Sequence, residues 1–141
     1  MTPEDLVEIE AIKRVKYKYV RCLDQKLWDE IVDCFTEDAV AAYSGGKYHF
    51  EGRDAIVAFL VESMGAEDFL SAHRVTQPEI DLVGTDRATG TWGLVDEVLV
   101  KQHSVRVRGA AFYSDEYVKV GGQWRIARTG YTRTYEEFLP L

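Results

Sequence analysis

The sequence predicts an α+β fold in which three N-terminal helices pack against a curved, mostly antiparallel sheet. Three observations predict it. Apolar residues recur at steps of three and four through the opening segment and again near Ile56. After Gly65 the period changes to two. The period-two stretches are long and joined by short turns, the signature of an antiparallel meander rather than of parallel units with crossover helices.

The first helix starts at Thr2, a capping residue, with Pro3 in the first turn and Glu4 and Asp5 matched to the helix dipole. Its apolar stripe runs through Ile9, Ile12, Val15, Tyr19, Cys22 and Leu23, so Tyr19 faces the interior. Asp24-Gln25-Lys26 breaks the pattern. A short second helix carries Trp28, Ile31, Val32 and Phe35 on one side. A strand from Ala39 to Tyr43, a Gly45-Gly46 turn and a return strand through Tyr48 and Phe50 follow. The third helix runs from Arg53 to Met64, with Gly65 as its C-cap. Strands are expected near Ser71–Leu82, Arg87–Lys101, Val105–Val120 and Gln123–Tyr135. Between them lie turns at Gly84-Thr85-Asp86, Gln102-His103-Ser104 and Gly121-Gly122. A long sheet curved over three helices makes a cone with an open mouth, and the inward residues of each strand line it.

The 141 residues fit a single domain, 1–141, long enough to enclose both a core and a pocket. Aromatic residues make up 12%, which suits an aromatic cavity. A net charge of -7 with no basic run argues against nucleic acid or an acidic membrane as partner. Cys22 and Cys34 read as reduced, half-buried thiols of a cytoplasmic protein. The acidic start does not resemble a signal peptide, and no apolar run approaches the ~20 residues of a membrane span. There is no GxGxxG, GxxxxGK[ST], HExxH or CxxC, and the scarce histidines predict neither metal nor cofactor.

Of three histidines, His49 sits on the short hairpin and His103 in a turn, both expected in solvent. His73 begins a strand. If it points inward, so do Ser71 and Val75, while Ala72 and Arg74 point out. Such an imidazole is either a proton shuttle or a hydrogen-bonded core residue. Asp24 is either the N-cap of the second helix or a carboxylate that orients the histidine. Tyr19 lies about 140° around an ideal helix from Asp24, so the two share a pocket only if the helix frays or turns near Asp24. Tyr43, Trp92, Tyr113, Tyr131 and Arg133 are further pocket candidates, each equally readable as core or surface. Trp92 shares a face with Gly90, Leu94 and Asp96. Tyr113 shares one with Gly109, Ala111 and Asp115. Tyr131, Arg133 and Tyr135 share a third, of which only part can lie deep. An arginine at position 133, near a mouth, could receive an anionic tail.

The runs Lys18-Tyr19-Val20-Arg21-Cys22-Leu23-Asp24, Lys26-Leu27-Trp28-Asp29-Glu30, Gly109-Ala110-Ala111-Phe112-Tyr113-Ser114-Asp115 and Thr129-Gly130-Tyr131-Thr132-Arg133-Thr134-Tyr135 resemble the bile acid 7α-dehydratases. Those enzymes belong to the SnoaL-like branch of the NTF2-like superfamily, which also holds scytalone dehydratase. The resemblance spans nearly the whole chain and implies a cystatin/NTF2-like cone-shaped α+β barrel. It implies catalytic roles for Tyr19, Asp24 and His73, and substrate contacts for Tyr43, Tyr113 and Arg133. It also implies homo-oligomers, trimers before dimers. Where the gut enzymes carry a second histidine, this chain has Thr76.

The expected activity is therefore a cofactor-independent dehydratase. It would eliminate water from a hydrophobic, hydroxylated polycyclic ketone, steroid-like or polyketide-like. Two alternatives stay open: isomerisation or cyclisation in the same pocket, and a small-molecule-binding module without catalysis.

Overall fold

Helix α1 (Pro3–Gln25) begins with a reciprocal cap: the Thr2 hydroxyl accepts the Asp5 backbone N–H and the Asp5 carboxylate accepts that of Thr2. Its buried stripe is Ile12, Lys16, Tyr19, Cys22 and Leu23. The helix stops at Lys26, whose left-handed backbone (φ 58°) lets its N–H bond back to the last turn. The computed structural model describes all residues, 1–141. Helix α2 (Trp28–Ile31) is a single turn that passes into a 3-10 turn over Val32–Cys34. Phe35, expected at the end of that helix, instead opens strand β1 (Phe35–Tyr43), where it pairs with Ile126. Strand β2 (Tyr48–Glu51) returns from β1 and leads into helix α3 (Arg53–Met64). Gly65 ends α3 in a right-handed conformation, its N–H bonded to the Val61 carbonyl.

Four long strands follow: β3 (Phe69–Val83), β4 (Arg87–Val100), β5 (Val105–Val120) and β6 (Gln123–Pro140). The sheet has six strands in the order β2-β1-β6-β5-β4-β3. Only β1 and β6 run parallel, so the chain's first strand closes onto its last. The curved sheet and the three helices form the α+β cone expected from the sequence. The core lies between α1, α3 and the concave face, with Ile12, Ile31, Phe35, Ile56, Leu94 and Ile126 almost wholly removed from water. No helix is long and apolar enough to cross a membrane.

Two irregularities aim side chains. In β3 the register slips between Thr76 and Glu79, around Gln77 (φ 53°) and Pro78. In β6, Arg133 pairs with Ala111 but Tyr135 pairs with Ala110, leaving Thr134 as an extra residue. The bulge reverses the alternation. Tyr131 and Arg133 point into the cone, Tyr135 points out and is exposed, and Glu136 comes back beside Arg133. Simple alternation had put Tyr135 on the same face as Arg133.

Candidate active site

Inside the mouth of the cone lies a cavity of about 190 Å³. Helix α1 supplies Tyr19 and Leu23, β1 supplies Tyr43, and α3 supplies Phe59, Leu60 and Met64. The sheet supplies Phe69, His73, Asp96, Val98, Tyr113, Tyr131 and Arg133. A shallower groove of about 700 Å³ runs along the outside of α1, among Arg14, Lys18, Arg21 and Arg125, and holds none of the predicted site residues.

His73 is buried, and its Nδ1 lies 2.7 Å from Asp24 Oδ1. Asp24 also accepts the Ser71 hydroxyl at 2.9 Å and the His73 backbone N–H at 2.8 Å. An ionised carboxylate only accepts, so Nδ1 carries a proton, and in the neutral imidazole Nε2 is the nitrogen left bare. Burial works against the Asp24 charge. The bonds from the His73 ring and backbone N–H groups and from Ser71 outweigh it and hold the carboxyl below its usual value. Arg74 stands at 3.6 Å on the solvent side of the same carboxylate.

The sequence left two roles open for Asp24. The N-cap position of α2 is held by Leu27 with no side-chain bond, so Asp24 does not cap that helix. Nor does α1 fray to bring Asp24 round to Tyr19; the helix continues through Gln25. The angular separation is used instead. Tyr19 points into the cavity, Asp24 points sideways to the start of β3, and His73 connects the carboxylate to the hollow.

Opposite the apolar α3 residues is a cluster of phenols. The hydroxyls of Tyr19 and Tyr43 lie 2.8 Å apart. Tyr113 meets Tyr19 edge-on with ring centroids 6.4 Å apart and Tyr131 at 5.7 Å. The bond between Tyr19 and Tyr43 uses one proton and leaves the accepting hydroxyl's own proton to donate elsewhere. The Tyr131 ring lies 5.0 Å from the Arg133 guanidinium. Burial pushes the phenols of Tyr19, Tyr43, Tyr113 and Tyr131 above their ordinary value, so these are neutral donors at physiological pH.

Arg133 is not free to take an anionic tail. Its guanidinium is bidentate to Asp96, at 2.5 and 2.9 Å, and its Nε lies 3.0 Å from Glu136. The bond to Asp96 raises its basicity further. The pair closes one cavity wall with no net charge. Asp96 faces His73 across β3 and β4 in register. Its place on the inward face with Trp92 and Leu94 was readable from alternation, and a charge on that face was the signal that it has a partner.

Trp92, expected at the pocket, does not reach it. It is buried towards the closed end, edge-on to Tyr17, with its indole N–H donated to the Tyr117 hydroxyl at 3.0 Å. His49 and His103 are exposed, and His49 stands near Glu51 on the outer hairpin. No three His, Cys, Asp or Glu side chains converge as a metal site would require.

The SnoaL-like domain model matches residues 4–130. Among solved structures, a scytalone dehydratase-like protein from Novosphingobium aromaticivorans DSM 12444 is 27% identical, with a TM-score of 0.90 over 100% of this chain and 93% of that one. A protein of unknown function from Mycobacterium tuberculosis is 26% identical, with a TM-score of 0.79 over 94% and 76%. The type 3 hexachlorocyclohexane dehydrochlorinase of Novosphingobium barchaimii LL02 is similar in fold, at 20% identity and a TM-score of 0.79 over 97% and 92%.

Proposed function

The chain belongs to the SnoaL-like domain family, and we propose that it is a cofactor-independent hydro-lyase acting on a hydrophobic, cyclic β-hydroxy ketone. The observation that carries this reading is the Asp24–His73 pair, which aims an unoccupied ring nitrogen into a cavity walled by phenols. Similarity to a protein named for scytalone dehydratase supports water elimination in particular.

His73 Nε2 takes the proton on the carbon next to the substrate carbonyl. Asp24 holds the imidazole in the required tautomer and stabilises the imidazolium. The charge that develops on the carbonyl oxygen is met by the Tyr19–Tyr43 pair, with Tyr113 and Tyr131 close by. The enolate then re-forms its carbonyl and expels the β-hydroxyl, which leaves as water with the proton that His73 carries. Positioned acid–base help of this kind contributes about 10² to 10⁴ in rate.

The cavity volume sets the size of the substrate. About 190 Å³ is below the ~300–1,000 Å³ of pockets for drug-sized ligands, which favours two fused rings over four. A neutral Asp96–Arg133 wall favours an uncharged ring system. Val95, Phe112 and Tyr135 are exposed together on the convex face of the sheet, which supports self-association, checked by light scattering after size exclusion.

The test is mass spectrometry on a panel of mono- and bicyclic β-hydroxy ketones with the native protein and His73→Ala. Loss of one water with the native protein alone is expected. An unchanged product mass would replace elimination by isomerisation. Full turnover by His73→Ala would overturn the assignment of the base.

A further inference from the structure

Lys16 sits in the middle of the buried stripe of α1 and has no exposed surface. A lysine is among the costliest side chains to bury. Its Nζ lies 2.9 Å from Asp115 Oδ2, and both side chains are fully enclosed. Asp115 is held on its other sides by the hydroxyls of Tyr117 and Thr129, each at 2.7 Å. The ammonium is not centred on that carboxylate. It lies 3.3 Å from the ring centroid of Tyr113 and 4.9 Å from that of Tyr19. Both rings line the cavity, and the ammonium itself does not.

We propose that Lys16 is a positioning residue that holds a positive charge behind Tyr113 and Tyr19, making their hydroxyls stronger donors to an oxyanion bound in the cavity. The inference rests on the reading of the phenols as the oxyanion site. The Asp115 carboxylate opposes the effect in part, and its charge is shared with the hydroxyls of Tyr117 and Thr129. The pair is a dipole with its positive end against the phenols. Burial and then Tyr43 and Asp115 push the Tyr113 phenol up; a positive charge 3.3 Å from its ring centroid acts in the opposite sense. The polar chain from Trp92 through Tyr117 to Asp115 fixes the dipole from the closed end of the cone.

The experiment uses 4-nitrophenol, whose anion absorbs where the neutral form does not, and 4-nitrotoluene as an uncharged control of similar shape. The native protein should bind the anion, and the bound phenol should ionise at lower pH than free 4-nitrophenol. Lys16→Met should weaken anion binding by about tenfold, one unit of acidity, and leave nitrotoluene binding unchanged. Lys16→Met/Asp115→Asn removes both charges and serves where the single variant does not fold. A folded variant with unchanged anion affinity overturns the inference while the oxyanion site stands. A native protein that takes nitrotoluene but not the anion overturns both. The native protein provides a check that needs no variant: the ¹⁵N resonance of Lys16 Nζ should be that of an ammonium at neutral pH and shift when nitrophenolate binds. A neutral amine, or no response, overturns the proposal.

Discussion

Asp24→Asn preserves the shape of the side chain and changes what it can accept. In the native protein the two carboxylate oxygens receive three donors: the His73 ring, the His73 backbone and Ser71. An amide has one accepting oxygen and an NH₂ group that cannot accept. If the oxygen keeps the backbone N–H, the NH₂ faces His73 Nδ1, and the ring proton moves to Nε2. The nitrogen that faces the cavity then has no lone pair to offer. Turnover should fall by about 10² to 10⁴, the contribution of general base catalysis. Stability should fall as well. Roughly two charge-assisted bonds are lost, each worth about 1.5–3 kcal/mol. The carboxylate is only partly buried, so solvent screening reduces the sum to about 1–3 kcal/mol. In a chain of this length that lowers Tm by about 3–10 °C. The decisive assay is ¹⁵N NMR of the imidazole, expected to show protonated Nδ1 in the native protein and protonated Nε2 in the variant. Acid unfolding gives a second readout. The folded protein holds Asp24 below its ordinary value of 3.8, so the unfolded chain protonates first as pH falls. The stability it contributes is complete above that value and lost as pH drops through the lower folded one. The variant should lack that loss. A variant that keeps the Nδ1–H tautomer and native turnover would refute the reasoning.

Other outcomes follow from the same structure. Arg133→Met leaves Asp96 buried without its counter-ion and should cost about 3 kcal/mol in urea unfolding, much of it regained in Arg133→Met/Asp96→Leu. Gly130→Ala would press a methyl group onto the Ala42 carbonyl where β6 runs alongside β1, and should cost more than about 2 kcal/mol by the same measurement. Burial pushes the Cys22 thiol up to about 11 and the Cys34 thiol to about 12. Neither should react with Ellman's reagent in the folded protein, and both should react at once in denaturant.

The elements were legible because each rests on a local signal. Thr2 and Asp5 cap, the apolar stripe of α1 has helical spacing, and turn residues separate runs of period two. The inward faces of β4 and β5 followed from alternation alone, and Leu94, Ala111 and Tyr113 are buried as that pattern requires. His73 was legible for the same reason. Its partner was legible only as one of two roles for Asp24, because Asp24 reaches it across 49 residues of sequence and only the packing of α1 on β3 brings them together. Alternation also does not distinguish the mouth of the cone from its closed end. Trp92 and Asp96 share a face, yet one is sealed in a polar network and the other lines the cavity. The extra residue at Thr134 left no local signal, so Tyr135 was expected on the face of Arg133 and lies on the other. Lys16 sits in a helical stripe at a position that reads as ordinary alternation of charge and grease. Its burial becomes visible only when Asp115 is seen below it.

The unpaired residue in β6 takes up one position of chain without moving the wall. Deleting Thr134 would close this bulge and leave Arg133 opposite Ala111 and Tyr135 opposite Ala110. Tyr135 would stay outside and Glu136 beside Arg133, because the residues on either side keep their partners on β5. The lining at this end is set by the pairing with β5 and not by the count of residues along β6, so a chain one amino acid shorter at this point would enclose the same hollow.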